Sequence, residues 1–196
     1  MKKSLLSSVL LLSLTTTSAF AAVHKTNHYR HQEHSVDTTL ELGLSLYDLD
    51  DQKSENGYFL KVEHGIEGAL GAEGEIENIS LDGEDLTQYR LAANYLVELA
   101  PYNLYLKPSL GLMHSNGIES ETGASAEFVL GSGKVVHNTK LELSVRYDDL
   151  KGKSLSDELR VGLEMNYEYA KKNYLTLAVE DLSYGTSISA GIGFKF

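Results

Sequence analysis

The sequence predicts an all-β chain closed into an antiparallel up-and-down transmembrane β-barrel of about ten strands, with eight as the alternative count. Three observations carry this expectation. Apolar residues recur at every second position from Val36 onward, most such stretches reach ten residues or more, and the connections between them alternate in charge. Alternation at two residues per repeat is the mark of a strand with one apolar face. Ten residues is the length a tilted strand needs to cross a bilayer, whereas ordinary strands average about five or six.

Two segments show the pattern most clearly. Leu40, Leu42, Leu44 and Leu46 alternate with Glu41, Gly43 and Ser45; Leu159, Val161, Leu163, Met165, Tyr167 and Tyr169 alternate with Arg160, Gly162, Glu164, Asn166 and Glu168. A helix would set Leu159 and Leu163 beside Arg160 and Glu164 and give no clean stripe. The same scan predicts strands over 38–47, 57–66, 69–79, 86–98, 102–113, 121–130, 134–147, 157–169, 173–181 and 186–196.

Every second connection is expected to be longer and acidic, carrying Asp48, Asp50, Asp51 and Glu55; Asp82, Glu84 and Asp85; Glu119 and Glu121; Asp148 and Asp149; and Asp181. The others are expected to be tight and nearly free of acids: Gly65 to Gly68, Ala100 to Asn103, Gly131 to Gly133, and Ala170 to Asn173. In an up-and-down barrel alternate connections share one end, and long outer loops with short periplasmic turns are expected there.

Composition narrows the class. The chain has 196 residues, no Cys, two Pro and a formal net charge of −11. One domain is expected, with no disulfide framework. The acidic balance excludes nucleic acid as a partner, since phosphates need Lys and Arg.

Residues 1–21 read as a signal peptide, with Lys2 and Lys3, an apolar run from Leu5 to Leu14, and the small-x-small site Ala19-Phe20-Ala21. That run is too short for a spanning helix. Residues 22–35 read as a polar, His-rich arm, and 36–196 as the barrel.

Periodicity alone fits two orientations, one of them a soluble periplasmic lipocalin-like barrel with its apolar side inward. The polar rows carry Glu41, Lys61, Glu63, Glu73, Glu75, Glu77, Arg90, Asn94, Lys107, Glu127, Lys140, Glu142, Arg146, Arg160, Glu164, Glu168 and Lys195. Mixed signs suit pairing across a small lumen, so these residues are expected to line it. Tyrosine, with 12 copies against no Trp, falls near strand ends at Tyr47, Tyr58, Tyr89, Tyr102, Tyr147, Tyr169 and Tyr174, where amphipathic rings flank an apolar band. Long Glu, Lys and Arg chains would fill a ten-stranded bore, leaving a narrow or closed channel.

Ile188, Ala190, Ile192, Phe194 and Phe196 form an unbroken alternate row at the end of the sequence. Here the chain resembles the Gram-negative outer-membrane β-barrel family, whose last strand ends in an aromatic residue read by the barrel assembly machinery. The resemblance covers the export signal, the last strand and the pattern across 36–196. It implies location in the cell outer membrane, Ile192, Phe194 and Phe196 as an assembly signal, and outer-membrane lipid, lipopolysaccharide and the assembly machinery as partners. The function it favours is a non-enzymatic integral barrel, serving envelope structure, surface interaction or a narrow, weakly cation-favouring pore.

Two constellations could carry chemistry. His114-Ser115-Asn116 is close to the His-x-Ser-Asn pattern of outer-membrane phospholipase and lipid A deacylase barrels, which raises a lipid-directed hydrolase as an alternative. Adjacent strand residues point to opposite faces, so His114 and Ser115 are not expected to form a dyad. His24, His28, His31 and His34 are four of seven histidines. With Ala22 as a free N-terminus, the third-residue imidazole of His24 could join backbone nitrogens around Cu(II) or Ni(II). No other cofactor is expected. The acidic loops could hold Ca²⁺ or Mg²⁺ through carboxylate oxygens.

Overall fold

The computed structural model describes residues 37–49, 54–81, 84–117, 120–133, 138–150, 157–183 and 185–196. The signal peptide, the arm and His24, His28, His31 and His34 lie outside the described residues.

Among the described residues, eleven strands form one antiparallel sheet: β1 (Thr38–Leu49), β2 (Glu55–Glu67), β3 (Leu70–Leu81), β4 (Glu84–Tyr95), β5 (Val97–Leu99), β6 (Leu104–Asn116), β7 (Ser120–Ser132), β8 (Thr139–Leu150), β9 (Glu158–Ala170), β10 (Asn173–Leu182) and β11 (Gly185–Lys195). Each long strand pairs with its sequence neighbours, and β1 pairs with β11 from Thr39↔Lys195 to Leu49↔Gly185. The result is a closed ring of ten strands plus the short β5. The Phe196 amide donates to the Thr38 carbonyl at 2.9 Å, fastening the seam at what we term the terminal end. Among the described residues closure leaves none of the ten long strands with an unpaired side, while β5 pairs with β6 alone.

The expected strand 86–98 is interrupted at Leu96. Asn94 pairs with Ser109 and Val97 with Leu106, so one register runs through the gap and β5 continues β4. The Leu96 amide donates to Ala69, toward β3. Strand alternation therefore aims Tyr95 at its opposite number on β6, which is Pro108. Proline has no N–H to give, and the ladder breaks there. A 3-10 turn (Ala100–Tyr102) follows, capped by Asn103 in the left-handed region at φ 52°, a conformation asparagine tolerates.

The strands run further than their apolar alternation. Asp48, Glu55, Glu84, Asp85, Glu121, Asp148, Asp149 and Asp181 all sit within them. The expected contrast between long and short connections therefore does not hold: 82–83 is as brief as Gly68–Ala69, while β7 and β8 are separated by 133–138. Backbone pairing needs no apolar side chain, so the ladder persists beyond the greasy stretch. The β2–β3 hairpin turns on Gly68 at φ 62°, a backbone conformation open to glycine.

Apolar rows point away from the axis. Leu44, Leu91, Leu110, Leu112, Leu163 and Leu177 are all more than half exposed at mid-strand. The lipocalin-like orientation is thereby overturned. Tyr58 lies outward near the far end, Tyr95, Tyr167 and Tyr169 outward toward the terminal end, and Tyr89 outward at the middle of β4, away from the strand end where it was expected. Tyr47 and Tyr174 correct the expected girdle: both turn inward, at 1% and 8% exposure. Their parity explains it, because Tyr47 continues the row of Glu41 and Ser45, and Tyr174 that of Thr176 and Ala178.

Inward rings fit because glycines on the next strand yield space. A methyl group at Gly193 would meet the Tyr174 ring, and one at Gly131 the Tyr105 ring. Gly193→Val is expected to cost about 1–3 kcal/mol through overpacking. The urea midpoint followed by gel mobility checks this, and adding Tyr174→Leu should restore most of the loss.

Candidate functional site: the lumen

Strand parity aims charge at the axis. The central feature is β3, where Glu73, Glu75 and Glu77 occupy three successive inward positions. Three arginines from other strands meet them. Arg90 on β4 contacts Glu73 at 2.5 Å and Glu127 at 2.9 Å, and donates to Ser125 (2.9 Å) and Ser109 (2.7 Å). Arg146 on β8 reaches Glu75 at 2.8 Å and stands 3.2 Å from Asp148. Arg160 on β9 binds Glu77 (2.8 Å), Gln88 (2.6 Å) and Glu158 (2.9 Å).

The β9 strand lies five steps around the ring from β3, so Arg160 spans the lumen. These contacts form a transverse brace of charge-assisted hydrogen bonds, the strong kind. Arg90, Arg146 and Arg160 are 7%, 6% and 2% exposed. Above the brace, toward the far end, Tyr47, Ile79 and Leu182 pack together with Leu86 against them, and Tyr47 donates to Glu77. Apolar plug and ionic brace together occlude this half of the bore.

Below the brace lies a cavity of about 210 Å³. Its lining runs from Arg90 and Arg146 down to Thr39, Asn138, Glu168 and Lys195 at the terminal end. Of the residues expected to line the lumen, Glu41, Lys61, Glu63, Glu73, Glu75, Arg90, Lys107, Glu127, Lys140, Glu142, Arg146, Glu164, Glu168 and Lys195 border this cavity, while Glu77 and Arg160 sit in the brace. Lys107 pairs with Glu63 at 3.0 Å, Tyr105 donates to Glu142, and Asn94 donates to Glu63 and Glu73.

Sequence reasoning missed Gln88, Asp148, Glu158 and the inward apolar group of Tyr47, Ile79 and Leu182. Parity with recognised inward residues was the available signal for all but Leu182, whose strand carries none of them. Ile188, Ile192 and Phe196 of the last row are exposed, with Phe194 partly covered.

His114 and Ser115 lie on opposite faces. Ser115 is fully buried in the lumen. His114 faces out, its ring centroid 6.2 Å from that of Tyr89 at a tilt of 31°, with its Nδ1 2.9 Å from the Thr122 hydroxyl. This geometry cannot pass a proton from Ser115 to His114.

No family model and no curated protein matches the sequence. Among solved structures, an outer-membrane channel from Pseudomonas putida is similar at 9% identity, covering 87% of this chain and 100% of that one, with a TM-score of 0.51. The translocator domain of the autotransporter NalP from Neisseria meningitidis is similar at 12% identity, 97% and 98% coverage and a TM-score of 0.51. A KdgM porin aligns at 12% identity over 81% and 99%, with a TM-score of 0.49. The first two likenesses show the fold, a closed antiparallel β-barrel.

Proposed function

We propose that this chain is a non-enzymatic integral barrel of a Gram-negative outer membrane, with a braced lumen that does not conduct in its resting form. The observation that carries the reading is the outward apolar band at mid-strand, with Leu44 and Leu110 each 72% exposed. A soluble monomer does not leave apolar surface continuous around its whole girth. Lipid tails accept such a surface, and closed pairing satisfies every backbone group there.

In this reading residues 1–21 direct export, and Ile192, Phe194 and Phe196 engage the assembly machinery. The terminal end with its tight Lys171-Lys172 turn faces the periplasm. The acidic far end faces outward, where divalent cations would bridge its carboxylates to lipopolysaccharide phosphates. Envelope structure or surface interaction is then the role. A narrow cation-favouring pore is the second reading, supported by the cavity, which has nine glutamates against six Lys and Arg.

The test combines fractionation with electrical recording. The protein is expected in the outer-membrane fraction as a heat-modifiable band, and silent in planar bilayers. Recovery in an osmotic-shock supernatant would refute the membrane reading. Stable unitary currents would replace the closed lumen with the pore.

A further inference from the structure

We propose that the outward faces of β2, β3, β4, β6 and β7 toward the far end form a docking surface for the sugar headgroup of a glycolipid in the outer leaflet. The inference rests on the membrane reading, which sets this end outward.

Two adjacent cross-strand rows build the surface. The first runs Tyr58, Asn78, Thr87, Asn116 and Ser120, each opposite the next in register. The second lies nearer the terminal end and runs Leu60, Ile76, Tyr89, His114 and Thr122, turning from apolar to polar at Tyr89. Below them Leu91 and Leu112 face each other, 68% and 65% exposed. The apolar band therefore stops at Leu91 on β4 and at Leu112 on β6, and hydrogen-bonding side chains take its place. This is why Tyr89 stands outward so far from the end of its strand.

The polar groups are held in place. His114 has its Nδ1 2.9 Å from the Thr122 hydroxyl and its Nε2 3.4 Å from that of Ser120. Asn78 donates from Nδ2 to the Thr87 hydroxyl at 2.9 Å. A hydroxyl carries one donor and two acceptor positions, so each retains capacity for a ligand. Groups already ordered on rigid strands lose less freedom when they bind.

The ligand's chemistry follows from what the rows carry. Neither contains Lys, Arg, Asp or Glu, and the outward acids Asp48, Asp85, Asp149 and Asp181 stand outside them. A phosphate would find no cationic fork here, and a divalent cation no carboxylate. A sugar needs neither. Its hydroxyls exchange neutral hydrogen bonds with amides and hydroxyls, and its C–H face packs on aromatic π faces. Tyr89 and His114 supply two such rings, their centroids 6.2 Å apart with a tilt of 31°. Position selects the source. The rows adjoin side chains that face acyl tails, so a sugar carried on its own tails meets them at high effective concentration.

The test is native mass spectrometry of the full chain in amine-oxide micelles, which contain no sugar. The probe is dephosphorylated rough lipopolysaccharide in EDTA. Detergent dependence and heat-modifiable mobility of the same sample are recorded first. A chain soluble without detergent sinks the membrane reading, whereas an embedded barrel that takes up no probe sinks this proposal alone. Saturable binding is expected, weakened about tenfold in Tyr89→Leu/His114→Leu through loss of a ring contact and a hydrogen bond. Asn116→Leu, an exposed change at the end of β6, should weaken it several-fold without touching the fold. Asp181→Asn, among the acids outside the rows, should leave it unchanged. Equal binding of phosphatidylglycerol overturns the proposal, as does uptake that requires Mg²⁺ or is lost in Asp181→Asn. So does full affinity in the double variant or in Asn116→Leu, or equal affinity for the deacylated core oligosaccharide.

Discussion

Arg160→Leu is expected to destabilise the barrel by about 3–5 kcal/mol, the usual cost of removing one partner from a buried ion pair. Arg160 is 2% exposed and holds Glu77, Gln88 and Glu158 together. Leucine would leave two carboxylates facing each other in a space that excludes water. The loss therefore comes from stranded charge more than from a missing contact. A combined Arg160→Met, Glu77→Leu, Glu158→Leu variant strands none of the three and should recover most of the stability, as buried ionic groups often do when replaced together. Urea unfolding in lipid vesicles measures both. Arg160→Leu unfolding within about 0.5 kcal/mol of wild type, the range of an ordinary surface change, would show that the brace is ornamental to stability.

Leu163→Arg carries the second large effect, about 2–4 kcal/mol, the cost of a cation on the lipid face of a barrel near mid-depth. Leu163 is 55% exposed and sits between Leu143 and Val179 at the middle of three strands. A solvent-facing site would tolerate the change within about 0.5 kcal/mol. Depth supplies the internal control. Asn56 faces outward one residue into β2 and pairs with Leu46 near the far end. Asn56→Arg should cost only about 0–1 kcal/mol, as expected close to the interface. Equal costs at both sites, measured by unfolding in the same vesicles, would contradict a bilayer around the barrel.

How far the fold was legible depends on which interactions are local. The run from Leu159 to Tyr169 and the last row to Phe196 read directly, because strand pleat alone decides which residues share a face. Tyr47 and Tyr174 were misjudged by position along the strand, although parity assigned them inward. The break at Leu96 needed the partner strand: nothing within 86–98 announces it, and Pro108 opposes Tyr95 only once β6 is docked. Loop lengths misled for a related reason. Asp148 and Asp149 look like a connection because they are acidic, yet cross-strand pairing with Glu158 and Ala124 keeps them in the ladder.

The sequence by itself determined the strand period, the facing of charged against apolar residues, and the number of strands to within the two counts considered. Those properties follow from the backbone repeat and from amino-acid type. Tertiary structure alone decided which arginine meets which glutamate, and that Tyr47, Ile79 and Leu182 occlude one half of the bore. Each of these depends on the stagger adopted when β1 closes on β11, a relation between residues more than a hundred positions apart that no local pattern encodes.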